Sequence, residues 1–173
     1  MNARFHPLQR VLHWLMAAMV LAMLFIGIFM VSTVSPAYAT LVSIHKPLGI
    51  AILLLVLLRI AVRLRRGAPA LPAELPPVMK ALAHLSHLLL YALLLAMPLV
   101  GWGMLSAAGY PIVLWGPVRL PPILPADPAL YTLLRNAHSW LALTLFAVIL
   151  LHLGAALFHA LIRRDGVLRS MAP

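Results

Sequence analysis

The chain has 173 residues, of which 64% are hydrophobic and only 9% carry a charge. A soluble domain of this length needs a charged surface that so few charges cannot supply, so the composition favours a single integral membrane domain over residues 1–173. The absence of cysteine excludes disulfides, Cys-ligated iron–sulfur clusters and thioether-linked cofactors. The net charge of +10 does not indicate nucleic-acid binding, because the basic residues flank apolar segments and form no single face.

Four stretches are long and apolar enough to cross the roughly 30 Å hydrocarbon layer of a membrane, for which about 20 residues suffice. The predicted spans are residues 11–31, 41–60, 82–105 and 133–162. The third span contains Pro98 and Gly101, which membrane helices tolerate, and the loop after it is too rich in proline for a regular helix. The sequence therefore predicts an all-α integral membrane four-helix bundle in contact with the lipid bilayer.

The first span has a competing interpretation as a signal peptide. Arg4 and Arg10 precede it, as in the positively charged start of a signal peptide. Residues 37–39 read AYA, as at a cleavage site. The apolar stretch is longer than a signal-peptide core and contains His13, so we expect it to be a membrane helix.

Lysine and arginine predict the orientation of the bundle. Ten of them fall at one end, namely Arg4, Arg10, Arg59, Arg63, Arg65, Arg66, Lys80, Arg163, Arg164 and Arg169. Three fall at the other end, namely Lys46, Arg119 and Arg135. Because cytoplasmic segments are enriched in these residues, we expect both termini in the cytoplasm and the loop after the third span outside.

The fourth span, which reads HSWLALTLFAVILLHLGAALFH from residue 138 to residue 159, contains three histidines. His138, His152 and His159 are spaced by 14 and 7 residues, close to whole helical turns, so they share one face. His138 and His152 are about 21 Å apart along the helix axis. Histidine is costly in hydrocarbon, so this stripe indicates a function at two depths.

Histidines on two other spans match these depths. His13 lies about one turn inside the cytoplasmic end of the first span, level with His152. His45 lies about one turn inside the outer end of the second span, level with His138. Each pair joins two helices, as is needed to bind a haem iron through one imidazole on each side of the porphyrin. Zinc is less suited, because it takes three or four ligands at one point. The pattern predicts two haems between the helices.

Two alternatives remain open at this point. Each histidine could simply hydrogen-bond to a neighbouring helix. Four histidines in two depth-matched pairs, with no acid in any span, favour haem over that interpretation and over a proton-coupled carrier. His87 could also replace His13 as the partner of His152, since both lie at a similar depth and only helix rotation decides.

Basic residues beside the paired histidines are candidates to neutralise anionic haem propionates. Lys46 and Arg135 lie near the outer pair, and Arg10 lies almost one turn before His13. The alternative for each is a topology-determining or snorkelling charge. Gly49, one turn after His45, could make room for a flat macrocycle or serve helix packing.

Further histidines cluster at the cytoplasmic end. His84, His87 and His159 are surplus to two bis-histidine haems. A quinone site needs hydrogen-bond donors at the head-group carbonyls, beside an electron donor and open to lipid. His87 and His159, with Ser86, are the candidates for that site.

These residues together resemble a known family. The chain is similar to the bacterial di-haem cytochromes b561, a four-helix group that includes small superoxide:ubiquinone oxidoreductases and is related to hydrogenase cytochrome b subunits. The resemblance covers nearly the whole chain, and it is carried by LQRVLHWLM around His13, IHKPLGI around His45, MKALAHLSHLLLYALLLAMPLVG with His84 and His87, and HSWLA…LLHLGAALFHALIRRDGVLRSM from residue 138. Their joint order and spacing is more specific than any one motif.

The resemblance implies a multi-pass protein of a bacterial inner membrane that binds two haems b. It implies ligation by His13 with His152 and by His45 with His138, in agreement with the depths. It also implies oxidation of superoxide to O2 at the outer haem and reduction of ubiquinone near His87 and His159. Superoxide is an anion, and the outer side carries Lys46, Arg119 and Arg135 against Asp127.

A second function of a different class is a cytochrome b anchor subunit. Such a subunit relays electrons between a dehydrogenase or hydrogenase partner and the quinone pool. It needs a docking surface for the redox protein partner, and the proline-rich outer loop could provide one. Reduction by superoxide without a partner distinguishes the two functions.

Overall fold

The computed structural model describes residues 4–172. Its four long helices are α1 (Pro7–Ser32), α2 (Ala37–Arg66), α3 (Pro77–Ala107) and α4 (Pro128–Phe158). Helix α4 continues as one π-helical turn, His159–Arg163, and a short helix α5 (Val167–Met171) follows. All four long helices are long and apolar enough to cross a membrane. The predicted membrane bundle is therefore confirmed, and each helix extends several residues beyond its predicted span because the spans counted only the hydrocarbon layer.

The helices begin where the sequence supplies caps. His6 precedes Pro7, its Nδ1 accepts the Leu8 N–H at 3.3 Å, and the Gln9 side chain accepts the His6 N–H at 3.2 Å. Asp127 caps α4 by accepting the N–H groups of the next turn at 2.8 and 2.9 Å. Such caps satisfy amide groups that the first helical turn leaves free.

The loop between α3 and α4, which the sequence predicts to lie outside and which we call the outer loop, contains a feature that the sequence did not predict. Strands β1 (Ile112–Trp115) and β2 (Val118–Leu120) form an antiparallel hairpin that turns at Gly116, where φ is +51°. The loop is tied to α3, because Trp102 Nε1 donates to the Pro121 carbonyl and Ser106 Oγ accepts the Ile123 N–H. Ile112 is 4% exposed. The hairpin therefore covers the outer end of the bundle.

The buried core forms one layer in the middle of the bundle. All four long helices contribute to it, through Met16, Val20, Ile52, Leu53, Val56, Leu93, Leu94, Leu145 and Val148. On α4 this layer falls between His138 and His152, and on α1 and α2 it falls after His13 and His45. Apolar packing therefore separates the level of His45 and His138 from the level of His13 and His152. The remaining apolar side chains lie largely on the outside, as expected of a bundle with lipid as its solvent.

Both described ends of the chain lie at the same end of the bundle. The Phe5 N–H donates to the Ser170 carbonyl at 3.0 Å, and Trp14 Nε1 donates to the Met171 carbonyl at 2.9 Å. Gln9 Nε2 donates to the Gly67 carbonyl at 2.8 Å, which brings the α2–α3 link to this end too. The segments that carry most of the lysine and arginine are therefore gathered at one end, which we call the basic end.

Candidate functional site

Two histidines face each other at the end of the bundle away from the basic end. His45 of α2 and His138 of α4 have ring centroids 6.2 Å apart, with the ring planes at 66°. A cavity of about 70 Å³ adjoins them between α2, α3 and β1, and its lining includes Lys46, Gly49 and Gly101. These two histidines, the outer pair, are the ones whose depths the sequence matched.

Gly101 provides the space in which the His138 ring lies. A Cβ at Gly101 would lie 3.3 Å from His138 Cε1 and 3.6 Å from Nδ1, so any side chain there would press on the imidazole. At Gly49 an added Cβ would meet only the Met23 side chain, at 3.7 Å. The sequence interpretation noted Gly101 only as a tolerated helix interruption, because nothing in the sequence shows that α3 turns this face toward α4.

We expect Gly101→Ala to weaken retention of a cofactor bound through His138. Forcing a methyl group into a packed site costs roughly 1–3 kcal/mol, which corresponds to about 5- to 150-fold in affinity. The measurement is the loss of bound cofactor during dilution in detergent. Gly27→Ala is the matched control, because a Cβ at Gly27 meets no atom within 4 Å. Equal retention in both variants would contradict a positioning role for Gly101.

Three histidines meet near the basic end. The ring centroids of His13 and His152 are 6.3 Å apart, with the planes at 72°. His87 of α3 also contacts His152, with a centroid separation of 5.4 Å. His13 and His152, the inner pair, therefore face each other as their depths predicted, and His87 lies beside them.

Both pairs have the dimensions needed to hold one iron between two imidazoles. Two metal–nitrogen bonds of about 2 Å, with about 1.1 Å from each nitrogen to its ring centre, would place the centres of two imidazoles that share one metal about 6.2 Å apart. The outer and inner pairs are at 6.2 and 6.3 Å, whereas His87 and His152 are closer than this. The Nδ1 atoms of His13 and His45 are buried without a hydrogen-bond partner in residues 4–172, so a hydrogen bond from Nδ1 to a neighbouring helix does not account for these rings.

A cluster of metal-ligating side chains of the zinc type is absent from residues 4–172. No group of three or more His, Cys, Asp or Glu side chains is arranged there so that it could hold a metal ion, and the three histidines near the basic end are no exception. Structural zinc needs four such ligands, and catalytic zinc needs three. The histidine geometry therefore fits a metal that brings its other ligands with it, as a porphyrin does.

The basic residues predicted to contact propionates differ in their surroundings. Lys46 lines the cavity at the outer pair. Arg135 is exposed, and its Nη1 donates to the Tyr131 hydroxyl at 3.1 Å. Arg10 donates from Nη1 to the Ala172 carbonyl at 2.9 Å, and its Nε is buried without a partner in residues 4–172. Of the three, Lys46 has the surroundings closest to those predicted for a propionate contact, because it lines the cavity beside a histidine pair.

The residues predicted to form a quinone site are not in mutual contact. Within residues 4–172 no ring contact or hydrogen bond joins His87 to His159, and Ser86 Oγ donates to its own helix at the Ala83 carbonyl. His159 Nδ1 instead lies 2.6 Å from Asp165 Oδ2, which also accepts from Arg163 Nε at 3.1 Å. Sequence reasoning missed Asp165, because the π-helical turn that brings it back to His159 has no sequence signal.

The environment of Asp165 favours its charged form. Burial alone would raise the pKa of this carboxyl group. The hydrogen bonds from His159, the Val167 N–H and Arg163 outweigh burial and hold the pKa below its ordinary value. Asp165 is therefore a carboxylate that fixes the His159 ring through Nδ1, which leaves Nε2 of that ring for other partners.

Comparison with known proteins agrees with the four apolar helices. The chain belongs to the prokaryotic cytochrome b561 family, whose model matches residues 4–173. It is therefore a membrane electron-transfer protein of the bacterial inner membrane and of a family that carries haem b. The predicted family, fold class and location are thereby confirmed.

Three curated proteins are similar to this chain. The probable superoxide oxidase CybB of Yersinia pestis is 35% identical over 130 residues, which are 75% of this chain and 73% of that protein. Cytochrome b561 homolog 2 of Escherichia coli (strain K12) is 29% identical over 97% of this chain and 90% of its own length. Cytochrome b561 homolog 1 of the same strain is 29% identical over 98% of this chain and 97% of its own length.

Proposed function

We propose that the protein oxidises superoxide to O2 on the periplasmic side of the inner membrane and reduces ubiquinone near the cytoplasmic side. In this proposal one haem b is held by His45 with His138, and a second by His13 with His152. The observation that carries it is the presence of two facing imidazole pairs, at 6.2 and 6.3 Å, at two levels of one bundle. A relative named as a probable superoxide oxidase adds support.

The overall reaction balances electrons and protons across the two faces. Two superoxide anions give up one electron each and leave as two O2, and one ubiquinone takes up two electrons and two protons to become ubiquinol. When bound, the two haems supply one-electron carriers at the two levels of the bundle. The chain must therefore bind an anion on one face and deliver protons on the other.

Positive charge supports anion approach at the outer pair. Lys46 lines the cavity beside His45 and His138, and Arg119 and Arg135 lie at the same end of the bundle. The acid at this end, Asp127, is engaged in capping α4. A local excess of positive charge raises the concentration of a small anion near the site.

Protons for the quinone are assigned to the basic end, which in this proposal faces the cytoplasm. His159 is oriented by the Asp165 carboxylate, and such an oriented imidazole can donate a proton from Nε2 and recover one from solvent. His87 lies beside the inner pair, where electrons leave. His87 and His159 share no ring contact or hydrogen bond in residues 4–172, so a quinone head group bound between them would not have to displace such a contact.

We expect Asp165→Asn to slow ubiquinone reduction about tenfold while leaving haem content unchanged. Because the pKa of Asp165 is lowered, its carboxylate is present above its ordinary pKa of 3.8 and is lost only as the pH falls through a still lower value. The difference between wild type and variant should therefore persist at every pH above 3.8. Glu74→Gln, an exposed acid at the same end, is the control. An equal slowing in that variant would argue against the role of Asp165.

The proposed function is tested by spectroscopy and then by substrate. The purified protein should contain two low-spin haems b per chain, measured by a reduced-minus-oxidised spectrum and by extraction. Enzymatically generated superoxide should then reduce both haems without any added protein, and ubiquinone should reoxidise them. Haems that superoxide cannot reduce, but that a dehydrogenase can, would indicate the anchor-subunit function instead.

A further inference from the structure

Two arginines of α2 share one aromatic ring near the inner pair. Arg59 and Arg63 are one helical turn apart, and their guanidinium carbons lie 5.5 and 6.0 Å from the centre of the Tyr91 ring on α3. Both side chains are partly buried. We call Arg59 and Arg63 the arginine pair. The sequence interpretation used them only as topology charges.

The arginine pair has no carboxylate partner in residues 4–172. Neither guanidinium forms an ion pair with an acid there, and the ion pairs that the structure shows belong to Asp165. Arg59 Nη1 contacts Met16 Sδ at 3.5 Å, and thioether sulfur is a weak acceptor. Like charges one turn apart repel each other, and partial burial removes the water that would screen them. This site therefore favours an anion.

The position of the arginine pair relates it to the inner pair of histidines. On α1 the contacting residues are Gln9 and Met16, and His13 lies between them on the same helical stripe. On α3, Tyr91 lies one turn from His87 on the same face. Arg59 is also close enough for its charge to act on His13 and His152. An anion bound by the arginine pair would thus lie beside the inner pair.

A small cavity opens at this place. Its lining is Phe5, Gln9, Arg59, Arg63, Tyr91 and Met171. Gln9 is already engaged with the Gly67 carbonyl. Arg59 also has a side-chain hydrogen bond with Tyr91, and the arginine pair supplies the charged donors of the cavity. A guanidinium presents a planar fork of N–H donors that matches the two oxygens of a carboxylate.

We propose that the arginine pair binds the propionate carboxylates of the inner haem. This assignment rests on the proposed haem at His13 and His152. Arg10, which the sequence offered as a candidate for this role, donates from Nη1 to the Ala172 carbonyl. Arg59 and Arg63 offer two guanidinium groups to two carboxylates, so the bound haem neutralises the unpaired charge.

The test compares haemin with a haemin whose two propionate carboxylates are esterified and therefore carry no charge. Wild type and variants are made by cell-free synthesis into nanodiscs of phosphatidylcholine, supplied with haemin or with haemin dimethyl ester. Arg59→Gln is expected to reduce occupancy of the inner site by haemin about tenfold, equivalent to about 1.4 kcal/mol. In wild type, the ester should occupy the inner site about as poorly as haemin occupies it in Arg59→Gln. With the ester, Arg59→Gln should lower the occupancy little further. Arg66→Gln, an exposed arginine at the same helix end, is the control.

Further measurements keep each outcome decisive. The spectrum of the outer haem reports folding in every variant, and His13→Ala identifies the inner signal. Removal of a nearby positive charge should also lower the midpoint potential of the inner haem in Arg59→Gln, and Arg59→Lys should restore part of it. If Arg59→Gln weakens haemin and its ester equally, or changes neither, the proposal is wrong.

The alternative anion for the arginine pair is the phosphate of an anionic lipid. If the Arg59→Gln effect appears only when the nanodiscs contain phosphatidylglycerol, the arginine pair binds lipid and the proposal is overturned. Failure of the proposed haem ligation by His13 and His152 gives a different result, because wild type would then incorporate no haem at the inner site with either porphyrin. Failure of the superoxide activity alone would leave haem binding unchanged.

Discussion

Replacing His138 with alanine is expected to reduce the haem content from two to one per chain. His138 faces His45 at 6.2 Å, and a haem held by this proposed pair would keep only one protein ligand once His138 is removed. The inner pair lies on the other side of the buried core layer, so its haem should be retained. The measurement is haem extracted per chain, together with the reduced-minus-oxidised spectrum.

His84→Ala is the matched control for that experiment. His84 is an exposed histidine on α3 and makes none of the ring contacts of the paired histidines. It should retain both haems. Retention of both haems in His138→Ala would refute the assignment of His138 as a ligand, and loss of both would show that the two levels do not bind independently.

A second large effect should distinguish His13 from His87 as the partner of His152. The ring separation of 6.3 Å for His13 matches two axial ligands, whereas the 5.4 Å of His87 leaves too little room for an iron between the rings. We expect His13→Ala to lose the inner haem and His87→Ala to keep it. Haem content and the low-spin spectrum of each purified variant are the measurements.

Activity separates these two variants further. His87→Ala should slow ubiquinone reduction while both haems remain reducible by superoxide, because His87 lies where electrons leave the inner pair. If His87→Ala loses the inner haem and His13→Ala keeps it, the ligand is His87 and the quinone site must be assigned elsewhere.

The sequence predicted the features that depend on helix length and periodicity. A stretch of about 20 apolar residues is constrained by the bilayer to be a helix, so the four spans could be recognised without tertiary information. Residues fourteen positions apart return to the same face, which is why His138 and His152 were placed on one stripe. Matched depths then predicted which histidines on other helices could meet them.

Features that depend on helix rotation were not predictable in the same way. Gly101 is against His138 only because α3 turns that face toward α4. Arg59 has its side chain over Tyr91, although sequence reasoning assigned it only a topology role. Asp165 reaches His159 through a π-helical turn, and the β1–β2 hairpin forms in a loop that its prolines marked only as irregular.

By itself the sequence determined a four-helix membrane bundle with paired histidines at two depths, because the bilayer limits the backbone to helices and the helical repeat fixes each residue's depth and face. Tertiary structure alone decided which faces meet. In lipid there is little hydrophobic force between helices, so rotation is set by close packing of side chains. That packing brought His13 to 6.3 Å and His87 to 5.4 Å from the same His152 ring, a distinction that depth alone could not make.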